Sequence, residues 1–157
     1  MITQDELTVL EHIESAFRGI TLGEGVGLHQ AQGLDDYASE EELDLLRLKD
    51  EKDDWSKIDA SDLNNCYSSL SFFDARGMQF HLPAFLIADL KGLYNHDIAF
   101  TLCLKSENAS LQFSLLNSEQ RKAVRNYLVL RLNDLENGPA QPMIEESLET
   151  RWSESSS

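Results

Sequence analysis

The sequence predicts a mainly α-helical, compact domain of about five helices, with a small β-hairpin as a further element and an α+β fold as the alternative. Two observations favour helices: residues that can cap a helix precede several segments, and apolar residues in those segments recur at intervals of three and four. A third observation, the length of the chain, favours a compact domain, because 157 residues with 41% hydrophobic side chains can bury a core of their own. We expect a single globular domain over residues 1–137. A C-terminal extension over residues 138–157 should carry a short docking helix and a disordered end.

The first helix is predicted at the N-terminus. Thr3 and Glu6 have the spacing of a capping box, and the apolar residues that follow share one helical face: Leu7, Leu10, Ile13 and Phe17. This helix should end near Gly19. Five glycines lie between positions 19 and 33 with no apolar period, which predicts an irregular loop over residues 20–33.

The second helix is predicted over residues 40–51. Ser39 and Glu42 form its capping box, and three glutamates occupy its first turn, where the helix dipole favours negative charge. Leucines supply its apolar surface: Leu43, Leu45, Leu46 and Leu48. Trp55 should anchor the chain just beyond it. The acids of residues 50–54 lie at the helix end that disfavours them, so local structure gives no account of their charge.

The middle of the chain predicts two further helices. One should span residues 61–73, followed by a turn at residues 74–77. The next is expected to begin near Pro83, which suits the first turn of a helix, and to bury an apolar face: Phe85, Leu86, Leu90 and Leu93. Because this segment is apolar nearly all round, it is predicted to be the central helix.

The last third combines extended and helical patterns. Alternating residues between Ile98 and Leu115, separated by a polar KSENA segment, predict the β-hairpin. Asn117 and Gln120 cap another helix with a basic outer face. In the extension, apolar residues recur at four-residue intervals and predict the short docking helix: Ile144, Leu148 and Trp152.

The charge of the chain is strongly negative and unevenly distributed. Of the net charge of −15, residues 35–62 contribute −8, from twelve acidic and four basic side chains. A field of this sign repels nucleic acid and anionic membranes, and it attracts a basic protein. The apolar runs are too short to span a bilayer, and Cys66 and Cys103 have no spacing typical of metal or redox sites. We therefore expect a cytoplasmic protein that binds neither nucleic acid nor membrane.

The sequence has no clear catalytic or metal-binding motif, which favours a non-catalytic protein without a cofactor. The GEGVG segment at residues 23–27 follows a helix and lacks the lysine of a phosphate-binding loop. The four histidines lack the spacing of zinc or di-iron sites, and no metal site is predicted. A cysteine paired with His81 or His96 would be a nucleophile only with a lowered thiol pKa, which no local feature supplies.

Three segments carry a resemblance to a known family. They are Trp55 after the acidic helix, LSFFDARGMQFHLPAFLIADL at residues 70–90, and FSLLNSEQRKAVRNYLVL at residues 113–130. This arrangement resembles a family of small uncharacterised bacterial domains with an aromatic-x-LPA-aromatic segment and a later helix that begins with Glu-Gln. The resemblance covers about half of the chain, from Trp55 to Leu130. It implies a compact, mainly helical bacterial domain and no particular reaction.

The leading functional hypothesis is a protein-interaction domain, such as an immunity or antitoxin-like protein that covers a basic partner. Acidic patches opposite a cationic site give fast and specific association. The predicted contact residues are acids with two aromatic anchors: Asp35, Asp36, Tyr37, Glu40, Glu41, Asp44, Asp50, Asp53, Asp54 and Trp55.

Two alternatives remain open at this point. One is a structural adaptor that binds a partner through the C-terminal helix. The other is an enzyme with a dispersed site near the LPAF segment, whose nearest polar groups are His81, Tyr94, His96 and Asp97.

Overall fold

A computed structural model describes residues 2–134 and 138–154 of the chain. The described residues form nine α-helices and no strand. The helices are α1 (Gln4–Ala16), α2 (Leu28–Asp35), α3 (Glu40–Lys49), α4 (Ala60–Asn65), α5 (Ala75–Leu90), α6 (Ile98–Leu102), α7 (Glu107–Gln112), α8 (Ser118–Asp134) and α9 (Gln141–Glu149), with two 3-10 turns at Trp55–Lys57 and Tyr67–Ser71. The mainly helical class is confirmed, whereas the β-hairpin and the number of about five helices are wrong.

Helix α5 is the centre of the core and contacts α1, α4, α6 and α7. The predicted central helix is therefore present, but it begins at Ala75, eight residues before Pro83. The Asp74 carboxylate accepts hydrogen bonds from the backbone N–H groups of Gly77 (2.8 Å) and Val26 (3.0 Å), so the predicted turn is the capped start of the helix. Pro83 leaves one backbone bond unmade inside the helix. Burial of the surrounding side chains offsets this cost, since Leu82, Phe85 and their neighbours are inaccessible to solvent.

The predicted hairpin between Ile98 and Leu115 is wrong, because both of its arms are short helices. The Asp97 carboxylate accepts from the backbone N–H of Phe100 (3.3 Å) and caps α6. The Ser106 hydroxyl, within the polar segment of the predicted hairpin, accepts from the backbone N–H of Ala109 (3.1 Å) and caps α7. Helices of five and six residues are too short to show a helical period, so their apolar residues resemble an alternating strand.

The helix predicted over residues 61–73 is divided into α4 and a 3-10 turn. Tertiary contacts hold the 3-10 turn in place and satisfy carbonyl groups at its end. The Gln112 side chain donates to the carbonyl oxygens of Leu70 and Phe73, both at 2.9 Å. The Ser69 hydroxyl joins the turn to α2 by donating to Leu28 O at 2.7 Å.

The predicted helix in the C-terminal extension is α9, and it packs against α8 of its own domain. Ile144 is inaccessible to solvent and Trp152 is 1% exposed. The indole N–H of Trp152 donates to Leu102 O at 2.8 Å, and its ring meets Phe113 edge to face. These side chains are therefore part of the core. The boundary predicted after residue 137 adjoins residues outside the described ranges. The disordered end predicted at the SESSS segment, residues 153–157, lies partly outside them, and both remain predictions.

Candidate functional site

Helix α3 lies on the outside of the molecule and packs against α2 through one face only. The side chains of Leu43 and Leu46 cover Gly33 so closely that a Cβ atom there would lie 2.9 Å and 2.5 Å from them. Arg47 also faces inward, since its guanidinium donates to Gly23 O (2.7 Å), to Gly25 O and to Gln30 Oε1 (3.0 Å). This inner face fixes the orientation of the helix.

The opposite face of α3 exposes two leucines between acidic side chains. Leu45 is 63% exposed and Leu48 is 76% exposed. Helical spacing places Glu41 and Asp44 on the same face, because residues three and four apart are neighbours on a helix. No residue of α3 is buried. The four leucines of this helix thus divide into an inner and an outer pair, a division that helical spacing alone could have revealed.

Tyr37 adds an aromatic side chain at the corner between α2 and α3. The backbone N–H groups of Tyr37 and Ala38 donate to Leu34 O (3.3 Å) and Gly33 O (2.9 Å), the hydrogen bonds of a Schellman motif. Tyr37 holds the left-handed position of this motif with a φ of 58°, where glycine is usual and another residue costs about 1 kcal/mol. Its side chain is 96% exposed, so packing against the described residues does not explain the choice of tyrosine.

The acids around this helix have no cationic partner within residues 2–134 and 138–154. No salt bridge there involves Asp35, Asp36, Glu40, Glu41 or Asp44. Asp35 is partly buried and the other four are exposed. We define the α3 outer surface by Tyr37, Glu41, Asp44, Leu45 and Leu48. Asp35, Asp36 and Glu40 flank it.

Asp50 does not belong to this surface, and its prediction as a contact residue is corrected. The residue is 6% exposed, and its carboxylate accepts hydrogen bonds from His29 N (2.6 Å), Gln30 N (3.2 Å) and His29 Nδ1 (2.9 Å). An anion at this position satisfies the free N–H groups at the start of α2. Asp50 therefore explains why a helix forms within the segment predicted to be a loop.

Trp55 is likewise removed from the predicted contact set, because it is 7% exposed and its indole N–H donates to Phe17 O at 2.9 Å. It anchors the chain against α1, as the sequence predicted.

Asp54 is partly buried and has a local role. Its carboxylate accepts hydrogen bonds from the hydroxyl (2.6 Å) and the backbone N–H (3.0 Å) of Ser56, and these bonds lower the pKa of Asp54. Asp53 is exposed.

The cysteines are poor candidates for a nucleophile. Burial, followed by the charge of Asp62, raises the pKa of the Cys66 thiol to about 11. Burial also raises the pKa of the Cys103 thiol. A raised pKa disfavours the thiolate, which is the reactive form.

Among the polar groups predicted near the LPAF segment, Tyr94 and His96 meet edge to face with ring centroids 5.5 Å apart, whereas His81 packs against phenylalanines. His81 is inaccessible to solvent and stacks on Phe73 with ring centroids 4.4 Å apart. Tyr94 is buried, and burial raises its pKa to about 12. His96 is exposed and stacks on Tyr67, while Asp97 caps α6.

His81 makes the stability of the fold dependent on pH. Its Nδ1 donates to Gly77 O at 2.7 Å, so Nε2 is the unprotonated nitrogen, and no described residue donates to it. Burial lowers the pKa of His81 from 6.5 to about 4. The unfolded chain therefore binds a proton more readily, and stability that is complete above pH 6.5 falls as the pH decreases to about 4, by about 3 kcal/mol.

We expect His81→Leu to remove this component. Urea unfolding at pH 7.5 and at about pH 4.5 should show that the wild type loses about 2 to 3 kcal/mol more than the variant over this interval. His96→Gln is the matched control and should retain the wild-type dependence, because His96 is exposed. Equal losses for the wild type and His81→Leu would contradict the assignment.

The described part of the chain also offers no metal cluster and no membrane-spanning helix. It contains no group of three or more histidine, cysteine, aspartate or glutamate residues placed to hold a metal ion. None of its helices has the length and apolar character needed to cross a membrane.

The fold and the surface together define a small all-helical domain with an acidic outer helix that exposes leucines. The chain belongs to a family of unknown function, DUF6714, whose model matches residues 3–156. The predicted membership of a family without an assigned reaction is thereby confirmed. No curated protein and no solved structure matches the chain.

Proposed function

We propose that this protein is a non-catalytic protein-interaction domain that binds a basic partner protein through the α3 outer surface. The observation that carries the proposal is the pair of largely exposed leucines between acids that have no cationic partner in the described chain. Leu45 and Leu48 would supply apolar contact area, and Glu41 and Asp44 would attract and orient a cationic surface. Tyr37 is suited to a central anchor, since tyrosine is enriched among the residues that dominate binding energy.

The more specific form of this proposal is an immunity or antitoxin-like protein of bacterial cytoplasm, whose partner is a basic toxin or nuclease. Charge supports this form, because residues 35–62 contribute −8 of the net −15. The adaptor alternative, as formulated from the C-terminal helix, loses its support because Ile144 and Trp152 are buried in their own domain. An adaptor would have to use the α3 outer surface instead.

The test compares capture of native partners by the wild type, by Leu45→Ala/Leu48→Ala, and by the control Leu111→Ala/Leu115→Ala. The control removes two leucines of similar exposure, 65% and 48%, from another part of the chain. We expect a basic protein to bind the wild type and the control. The Leu45/Leu48 variant should bind at least about ten-fold more weakly by calorimetry.

A second pair of variants tests the role of charge. The double variant Glu41→Gln/Asp44→Gln should slow association with the partner and reduce the salt dependence of the association rate between about 50 mM and 300 mM NaCl. The control Glu11→Gln/Glu149→Gln removes two exposed acids elsewhere and should have a smaller effect. A partner that binds all variants equally, or an acidic partner, would contradict the proposal.

A further inference from the structure

A cavity of about 410 Å³ lies between α7, the start of α8, and α9. Its lining combines cationic, hydroxyl and apolar groups, among them Lys105, Ser110, Phe113, Arg121, Met143 and Arg151. Cavities that bind small molecules typically measure about 300 to 1,000 Å³ and place a few polar groups among apolar ones. The cavity shares no residue with the α3 outer surface.

Arg151 and Arg121 are held rigidly at this cavity. Arg151 donates to the carbonyl oxygens of Leu102 (3.3 Å) and Leu104 and to the Ser110 hydroxyl (3.2 Å), and its guanidinium lies over the Phe113 ring. Arg121 donates to Arg151 O and lies 4.9 Å from the centroid of the Trp152 ring. Stacking on an aromatic face fixes the plane of a guanidinium and prepares it to bind an anion.

Neither arginine has a carboxylate partner within the described ranges, although the chain has 28 acidic residues. Arg131 provides the contrast, because it pairs with Glu6, Asp89 and Asp134. The remaining N–H groups of Arg121 have no acceptor in the described part of the chain.

Burial and the neighbouring guanidinium disfavour the charge of Arg151. Burial lowers the pKa of both arginines, and the charge of Arg121 lowers that of Arg151 further. Arginine nevertheless stays protonated at neutral pH, so the repulsion persists until an anion offsets it.

We propose that this cavity binds a small organic oxyanion, a phosphate or carboxylate with an apolar body. The oxyanion accepts hydrogen bonds from the free N–H groups of Arg121 and lies close to Arg151, and guanidinium groups match both classes of anion in geometry. Phe113 and Met143 pack against the apolar body. Glu146, which also lines the cavity and pairs with Lys105 at 2.7 Å, disfavours a second anionic group on the ligand.

The experiment titrates the full chain with phenyl phosphate, benzoate, inorganic phosphate and the neutral analogue benzamide. Binding is followed by calorimetry and by NMR shifts of the cavity residues. We expect saturable binding of phenyl phosphate or benzoate, and the comparison of these two identifies the preferred anion. Inorganic phosphate should bind more weakly because it lacks the apolar body, and benzamide should not bind.

Variants separate this site from general charge effects. Arg121→Gln should weaken binding at least about ten-fold, whereas Arg18→Gln, which removes an exposed arginine elsewhere, should leave it unchanged. Met143→Glu places a carboxylate in the cavity at a partly exposed position and leaves both arginines intact. This variant should abolish binding by repelling the anion. It therefore tests the proposal even if Arg121→Gln is unfolded. Absence of saturable binding, or equal weakening by Arg18→Gln, would overturn the proposal.

Discussion

Replacement of Trp152 by alanine is expected to lower the free energy of unfolding by about 4 kcal/mol, the usual range for a fully buried tryptophan. The side chain is 1% exposed, contacts Phe113 and supports the guanidinium of Arg121. Its removal leaves a large cavity and also deprives Leu102 O of the 2.8 Å hydrogen bond from the indole. Urea unfolding followed by circular dichroism measures the change.

Trp152→Phe separates packing from hydrogen bonding, because phenylalanine keeps an aromatic ring and lacks the donor. We expect a loss of about 2 kcal/mol for this variant. Glu154→Gln changes an exposed neighbour and should have an effect below about 0.5 kcal/mol. A loss below about 1 kcal/mol for Trp152→Ala would show that residues 138–154 do not stabilise the domain, and would restore the idea of an independent extension.

Replacement of Asp50 by alanine should also cost about 4 kcal/mol, although the residue is one of many acids in an acidic segment. The variant leaves two N–H groups at the start of α2 without an acceptor and removes the partner of the His29 ring. Breaking a buried charged interaction of this kind typically costs about 3 to 5 kcal/mol. Faster hydrogen exchange of the His29 and Gln30 amides should accompany the loss, and Asp53→Ala, at an exposed position, should change stability by less than about 0.5 kcal/mol.

Gly27 provides a specific test of the same contact. A Cβ atom at this position would lie 2.0 Å from Oδ2 of Asp50, so Gly27→Ala should destabilise the wild type by about 2 kcal/mol through this clash. In the Asp50→Ala background the carboxylate is gone and only the Cβ atom of residue 50 remains, at 2.9 Å, so the added cost should fall to about 1 kcal/mol or less. Strict additivity of the two changes would contradict the proposed role of Asp50.

The candidate surface was predictable in part. The concentration of charge singles out Asp35, Asp36, Glu40, Glu41 and Asp44, and the structure leaves all five without a salt bridge in its described ranges. The prediction of local roles was correct at the start of α3 and wrong beyond its end. Residues 40–42 have a local role at the helix start and yet contribute exposed acids, whereas Asp50 and Asp54, which had no local account, are hydrogen-bonded within the fold.

The sequence by itself determined the starts of α1, α3 and α8. Thr3, Ser39 and Asn117 cap these helices through contacts that span three residues, and such contacts depend on little beyond the local chain. The tertiary structure decided the rest. Helix α2 depends on a carboxylate 21 positions away, and α3 exposes Leu45 and Leu48 because Leu43 and Leu46 close over Gly33. These outcomes depend on groups that only folding brings together. Helical spacing divides the leucines of α3 into two pairs, but it does not specify which pair faces inward.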